Sequence, residues 1–134
     1  MPDLRVAIAT LKGLPPGAAA NVSAIVMAQL ALRDARLFDG DPLVDTIGRP
    51  HAAVKYSTVV LSGRQGQLRT LAAHAGASEL TVAVFLEEAR ALNNQFESYR
   101  SLVGAASDDS VLVAVAVAGE DSTVRDATKA LSAL

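Results

Sequence analysis

The chain has no cysteine and no tryptophan, and only two histidines among its 134 residues. Without cysteine there are no disulfides, zinc thiolates or thiol nucleophiles. His51 and His74 are too few and too far apart in sequence to suggest a metal site, so no metal is expected. Aromatic residues make up 4% of a chain that is 51% hydrophobic, so its core must be built from Ala, Val and Leu in close helix–sheet contact. A formal charge of −2 argues against the basic face of a general nucleic-acid binder. Long apolar runs are also missing. The most apolar stretch, Ala18–Leu32, carries Asn21, Ser23 and Gln29 and falls short of the ~20 residues of a membrane span. The N-terminal run, with Asp3 in it, is too poor for a secretory signal. G-x-S-x-G, H-E-x-x-H, a Walker lysine motif and G-x-G-x-x-G after the first strand are all absent, and no cofactor is expected. These absences predict a cytoplasmic, soluble protein of one domain over residues 1–134.

Regular alternation of strand and helix signals is present. Val6–Leu11 is a near-continuous apolar run, as in a strand covered on both faces. Pro15-Pro16-Gly17 then forces a turn, and helix propensity stays high through Arg33. On this first helix Val22, Ile25, Val26 and Leu30 form a stripe, while Ala24, Met27, Ala28 and Leu32 fill much of the rest. A helix apolar nearly all round needs cover on two sides, which predicts a homodimer through helix one. Leu37–Pro50 is turn-rich and holds a short strand at a hairpin; Val54–Leu61 alternates as a strand, and Gln65–Ala75 reads as a helix stopped by Gly76. Leu80–Leu86 and Val111–Ala118 are buried strands, with a helical turn at Glu87–Arg90 and a short helix at Phe96–Val103 between them. Gly119–Ser122 opens a C-terminal helix whose inner stripe is Val124, Ala127 and Leu131. The order predicts an α/β domain with a mostly parallel or mixed sheet and helices on both faces.

Four features bear on chemistry. In open α/β sheets ligands bind beyond the carboxyl ends of strands, which singles out the junction Leu14–Asn21, with Gly17 and Asn21; a plain tight turn explains it as well. Asp45, Gly48 and His51 put a carboxylate near an imidazole, either to orient a base or to close an ordinary turn. Asn93-Asn94 with Phe96 and Tyr99 either lines a pocket, with Asn94 and Tyr99 as ligand contacts, or belongs to the core. Arg64, Arg69 and His74 form a helix face that solvent alone accounts for.

The first strand, the proline-glycine turn, the Ala-rich helix and the ending VAVAGEDSTVRDATKALSAL resemble the peptidyl-tRNA hydrolase II superfamily. Within it the chain is most similar to an uncharacterised, mainly bacterial family, domain of unknown function two thousand. Leu14-Pro-Pro-Gly17 with Asn21, Leu43-Val44-Asp45 with Gly48 and His51, and Phe96–Tyr99 carry that likeness over nearly the whole chain. The resemblance implies a three-layer α/β/α sandwich with a mixed, about four-stranded sheet, commonly a homodimer. It does not extend to the hydrolases' reaction. They carry lysines at the first junction, followed by glutamine and histidine on the helix; here the stretch is Gly17-Ala18-Ala19-Ala20-Asn21, with no lysine between Lys12 and Lys55. Their threonine-glutamine segment before the last strand is replaced by Phe96–Asp109. A cation that engages phosphate or polarises a carbonyl is not replaced by methyl groups. The expectation is therefore a non-hydrolase binding or regulatory module for a small molecule, with a cleft between Leu14–Asn21 and Asp45–His51. Two alternatives stand beside it. One is an enzyme acting on an acyl, aminoacyl or nucleotide-like substrate, with His51 as base and Asp45 orienting it. The other is a dimeric scaffold without a ligand.

Overall fold

Breaks in the apolar pattern set where each element ends. The computed structural model describes residues 3–134. Strand β1 (Leu4–Leu11) is buried along most of its length and runs into the turn before α1 (Pro16–Arg33), where Pro16 supplies a helical φ and needs no N–H. A hairpin arm follows, with β2 (Leu43–Val44) against β3 (Pro50–His51). Then come β4 (Ser57–Gly63), α2 (Gln65–Ala77) and β5 (Thr81–Leu86), with a 3-10 turn over Glu87–Ala91. The chain closes with α3 (Phe96–Gly104), β6 (Leu112–Glu120), α4 (Asp121–Thr128) and β7 (Ser132–Ala133).

The main sheet has the order β5-β6-β1-β4-β7, with β1 and β4 parallel and every other pair antiparallel. At its centre, large and small side chains alternate in opposite phase on neighbouring strands. Val6 lies opposite Ala118 and Ile8 opposite Ala116 on the α1 face; Ala7 lies opposite Val117 and Ala9 opposite Val115 on the other face. Ala83 of β5 also lies opposite Ala116. The alanines Ala114, Ala116 and Ala118 therefore floor a trough into which α1 sets Val22, Val26 and Leu30, each no more than 1% exposed. On the reverse face Leu68 and Leu71 of α2 and Val124 of α4 meet Val115 and Val117. Size complementarity across the strands thus replaces the aromatic bulk the chain lacks.

Side-chain hydrogen bonds fix the helices to the sheet ends. Gln65, the first residue of α2, donates Nε2 to the Leu112 carbonyl and accepts the Leu112 N–H at Oε1, both at 2.8 Å, so an amide acts as a one-residue strand partner for β6. Where α1 ends, Asp34 is almost fully buried. It receives Arg36 Nε at 2.9 Å and Nη2 at 2.8 Å, the Arg36 backbone N–H at 3.1 Å and the Thr81 hydroxyl at 3.2 Å. Thr81 is the first residue of β5, so this carboxylate ties the end of α1 to the strand beside it.

Several boundaries depart from the sequence expectation. The sheet has five strands, not four: α4 ends at Thr128, whose hydroxyl bonds the Val124 carbonyl, and Ser132 and Ala133 pair with β4. Gly119 and Glu120 remain in β6 rather than opening the last helix, because they pair with Arg5 and Leu4. Gly76 does not stop α2, which runs to Ala77. Val54 lies outside β4, bridged to Phe38 in the arm. Helix α1 is covered on one side; Ala20, Ala24, Ile25, Ala28 and Leu32 are exposed, Leu32 at 73%.

Arg36 hydrogen bonding holds the Asp34 carboxyl at about 2, down from 3.8, against the opposing effect of burial. Asp34 thus stays ionised in the fold where the unfolded chain already protonates it. Its contribution is complete above about pH 4 and disappears as pH falls toward 2. We expect Asp34→Asn to cost about 1–3 kcal/mol at pH 7. Urea unfolding at several pH values should show that difference shrinking toward zero by pH 2; a pH-independent difference would contradict the assignment.

Candidate functional site

The sequence-marked residues fall into three separate places. Gly17 and Asn21 lie in the first turns of α1, both exposed. Asn21 is inside the helix and so is not its cap, a position held by Pro15.

Asp45, Gly48 and His51 do come together, in the turn of the hairpin arm. The Gly48 N–H bonds the Asp45 carbonyl at 3.1 Å, and Gly48 takes φ +88°, a left-handed conformation that suits glycine. Asp45 Oδ1 accepts the N–H groups of Ile47 and Arg49, each at 3.0 Å, while Oδ2 accepts Arg49 Nε and faces His51 Nε2, each at 2.7 Å. His51 and Arg49 hydrogen bonds draw the Asp45 carboxyl well below the usual carboxylate range. Four partners occupy this carboxylate, and all belong to the turn it closes. His51 is exposed, and neither residue lines any of the five cavities described.

The expected cleft between Leu14–Asn21 and Asp45–His51 is not among those cavities. The arm is rooted through Asp39–Ala53 and Lys55–Leu37 backbone bonds just before β4, whose first residue pairs with Arg5 at the opposite end of β1 from the α1 junction.

Asn94 and Tyr99 are brought together in the third place. They line a hollow of about 240 Å³ with Phe85, Asn93 and Phe96. Phe85, Phe96 and Tyr99 continue into a groove of about 550 Å³ between α1, β5 and α3, where they meet Ile25, Gln29 and Arg100. The Tyr99 ring centroid lies 6.1 Å from that of Phe85 and 6.5 Å from that of Phe96, tilted at 53° and 52°. Arg100 stands over the Phe96 ring at 4.8 Å, and Phe96 is 61% exposed, so Phe96 is a lining residue, whereas Phe85 belongs to the core and Tyr99 packs against it. Asn94 takes φ +61°, the left-handed region, where the chain turns into α3. Spacing alone places Phe96, Tyr99, Arg100 and Val103 on one helix face. Ile25, placed by its spacing in the apolar stripe of α1, is 39% exposed and with Gln29 enters the lining because only the fold sets that part of α1 across from α3.

A larger groove of about 640 Å³ lies across β5 on the α2 side, lined by Arg69, Ala73, Val84 and Asp108. Here Arg69 Nη2 reaches the Ser110 carbonyl at 3.5 Å, while Arg64 and His74 do not line it. Among the described residues no three His, Asp or Glu side chains gather as metal ligands, and no helix is long and apolar enough to cross a membrane.

Replacing Asp45 tests whether it organises the turn alone. In Asp45→Ala, which removes the acceptor, the amides of Ile47 and Arg49 should exchange with solvent about tenfold faster, with global stability unchanged. A loss of global stability measured by thermal unfolding would contradict that local role.

Comparison with known proteins gives the fold a relative. A solved structure of a protein of unknown function from Agrobacterium tumefaciens strain C58 superposes with a TM-score of 0.84 at 20% identity, over 100% of this chain and 99% of that one. At that identity the likeness concerns the fold alone. No curated protein matches the chain. Residues 4–134 match the family described as Protein of unknown function (DUF2000), and the chain belongs to that family.

Proposed function

We propose that this chain is a non-hydrolytic small-molecule binding module on a peptidyl-tRNA hydrolase II-like scaffold, with its site in the groove between α1, β5 and α3. One observation carries the reading. The groove joins an apolar floor and walls to a few polar side chains, Gln29, Tyr99 and Arg100, in a volume typical of ligand sites. The acid–base pair of Asp45 and His51, by contrast, faces solvent on the arm. A general base needs a bound substrate within hydrogen-bond reach, and no described cavity adjoins His51. Alanines at 18–20, where the hydrolases carry lysines, weigh the same way.

A second reading, the homodimer through helix one, is favoured by the outer face of α1. Ala20, Ala24, Ala28 and Leu32 are exposed without a charge among them, and a second copy of the same face would cover them.

Native mass spectrometry of protein purified from its natural host tests the binding reading. The expected spectrum carries a small-molecule adduct that disappears in Ile25→Glu, a change at a groove wall that is 39% exposed. An adduct unaffected by Ile25→Glu, or substrate turnover that fails in His51→Ala, would overturn it.

A further inference from the structure

The groove's own chemistry narrows its occupant. Resting on the binding reading above, we infer that it takes a planar aromatic acid: a flat apolar ring system bearing one anionic group that Arg100 receives.

Three observations support the ring. The chain has only three phenylalanines and two tyrosines, yet Phe85, Phe96 and Tyr99 all converge on this one lining. Tyr99 tilts against both Phe85 and Phe96, so the three rings form one continuous aromatic surface with Phe96, 61% exposed, at its rim. The exposed Phe96 also lies beside Ile25 and Val103, 39% and 49% exposed, so a guest seated there removes a cluster of apolar surface from water.

Charge supports the acid. Among the described residues, Arg100 is the one charged residue lining the groove, and no acidic side chain lines it. Glu97, one turn back on α3, forms an exposed ion pair with Arg100 Nε at 3.6 Å and is itself 84% exposed. Such a solvated pair contributes little, so an anion seated in the groove competes with Glu97 for the guanidinium. It stands over the Phe96 ring at 4.8 Å, and its planar donor fork matches a carboxylate in two-point contact. Gln29, in the same lining, and Asn94, in the adjoining hollow, supply neutral donors and acceptors for a ring substituent.

The test compares 2-naphthoate with its neutral isostere 2-naphthamide, titrated into the full chain and followed by isothermal calorimetry and backbone amide shifts. The acid should bind about tenfold more tightly than the amide, shifting Ile25, Gln29 and Tyr99, and Arg100→Gln should erase the difference between the two compounds. Arg100 is exposed, so an unchanged amide spectrum elsewhere certifies that variant's fold. If acid and amide bind the groove equally, the anion assignment falls and the groove reading stands. If neither binds, or both shift residues outside the groove, the groove reading falls and this inference with it.

Discussion

The structure depends on the alternation of valine and alanine across β1 and β6. Ile8 and Val6 stand over Ala116 and Ala118 on one face, and Val117 and Val115 stand over Ala7 and Ala9 on the other. Both faces are filled without an aromatic side chain at the centre, and the alanine side lets α1 approach the sheet closely. The depth at which α1 lies determines where Ile25 and Gln29 stand relative to β5 and α3. The packing rule of the core is therefore also the rule that shapes the groove.

Two polar devices hold that arrangement at its ends. Asp34 joins the last turn of α1 to the start of β5 through Arg36 and Thr81, and Gln65 closes the α2–β6 corner by pairing with Leu112. Each buried polar group is met by donors or acceptors at hydrogen-bond distance, so neither carries the cost of an unpaired buried group. A third device, Asp45, does the same for an exposed turn. Its resemblance to a catalytic orienter comes from one shared property: a carboxylate that satisfies several donors looks alike whether it closes a loop or positions a base.

Much of the architecture was legible in the sequence, because apolar runs such as Leu80–Leu86 and helix periodicity in Gln65–Ala75 are local signals. What escaped were features set by contacts distant in the chain. Ser132–Ala133 has no strand signature of its own and becomes a strand through its pairing with β4. Gly119 reads as a breaker but lies in β6 opposite Arg5. The candidate site is half legible: type and spacing mark Asn94, Phe96 and Tyr99, whereas Ile25 reads only as part of the apolar stripe and Gln29 carries no mark until α1 is laid across from α3. The pairing of Asp45 with His51 was foreseeable from the tight turn, but its distance from every described cavity was not.

The most direct test of this account places extra bulk on each face of the sheet in turn. Ala116→Leu fills the trough under α1 and should cost about 1–3 kcal/mol in equilibrium unfolding while shifting the amides of Ile25, Gln29 and Tyr99. Ala7→Val, on the α2 face, should cost a similar amount and leave those three amides in place. Equal effects of the two changes on the groove residues, or no loss of stability in Ala116→Leu, would contradict the claim that the alanine trough shapes the site.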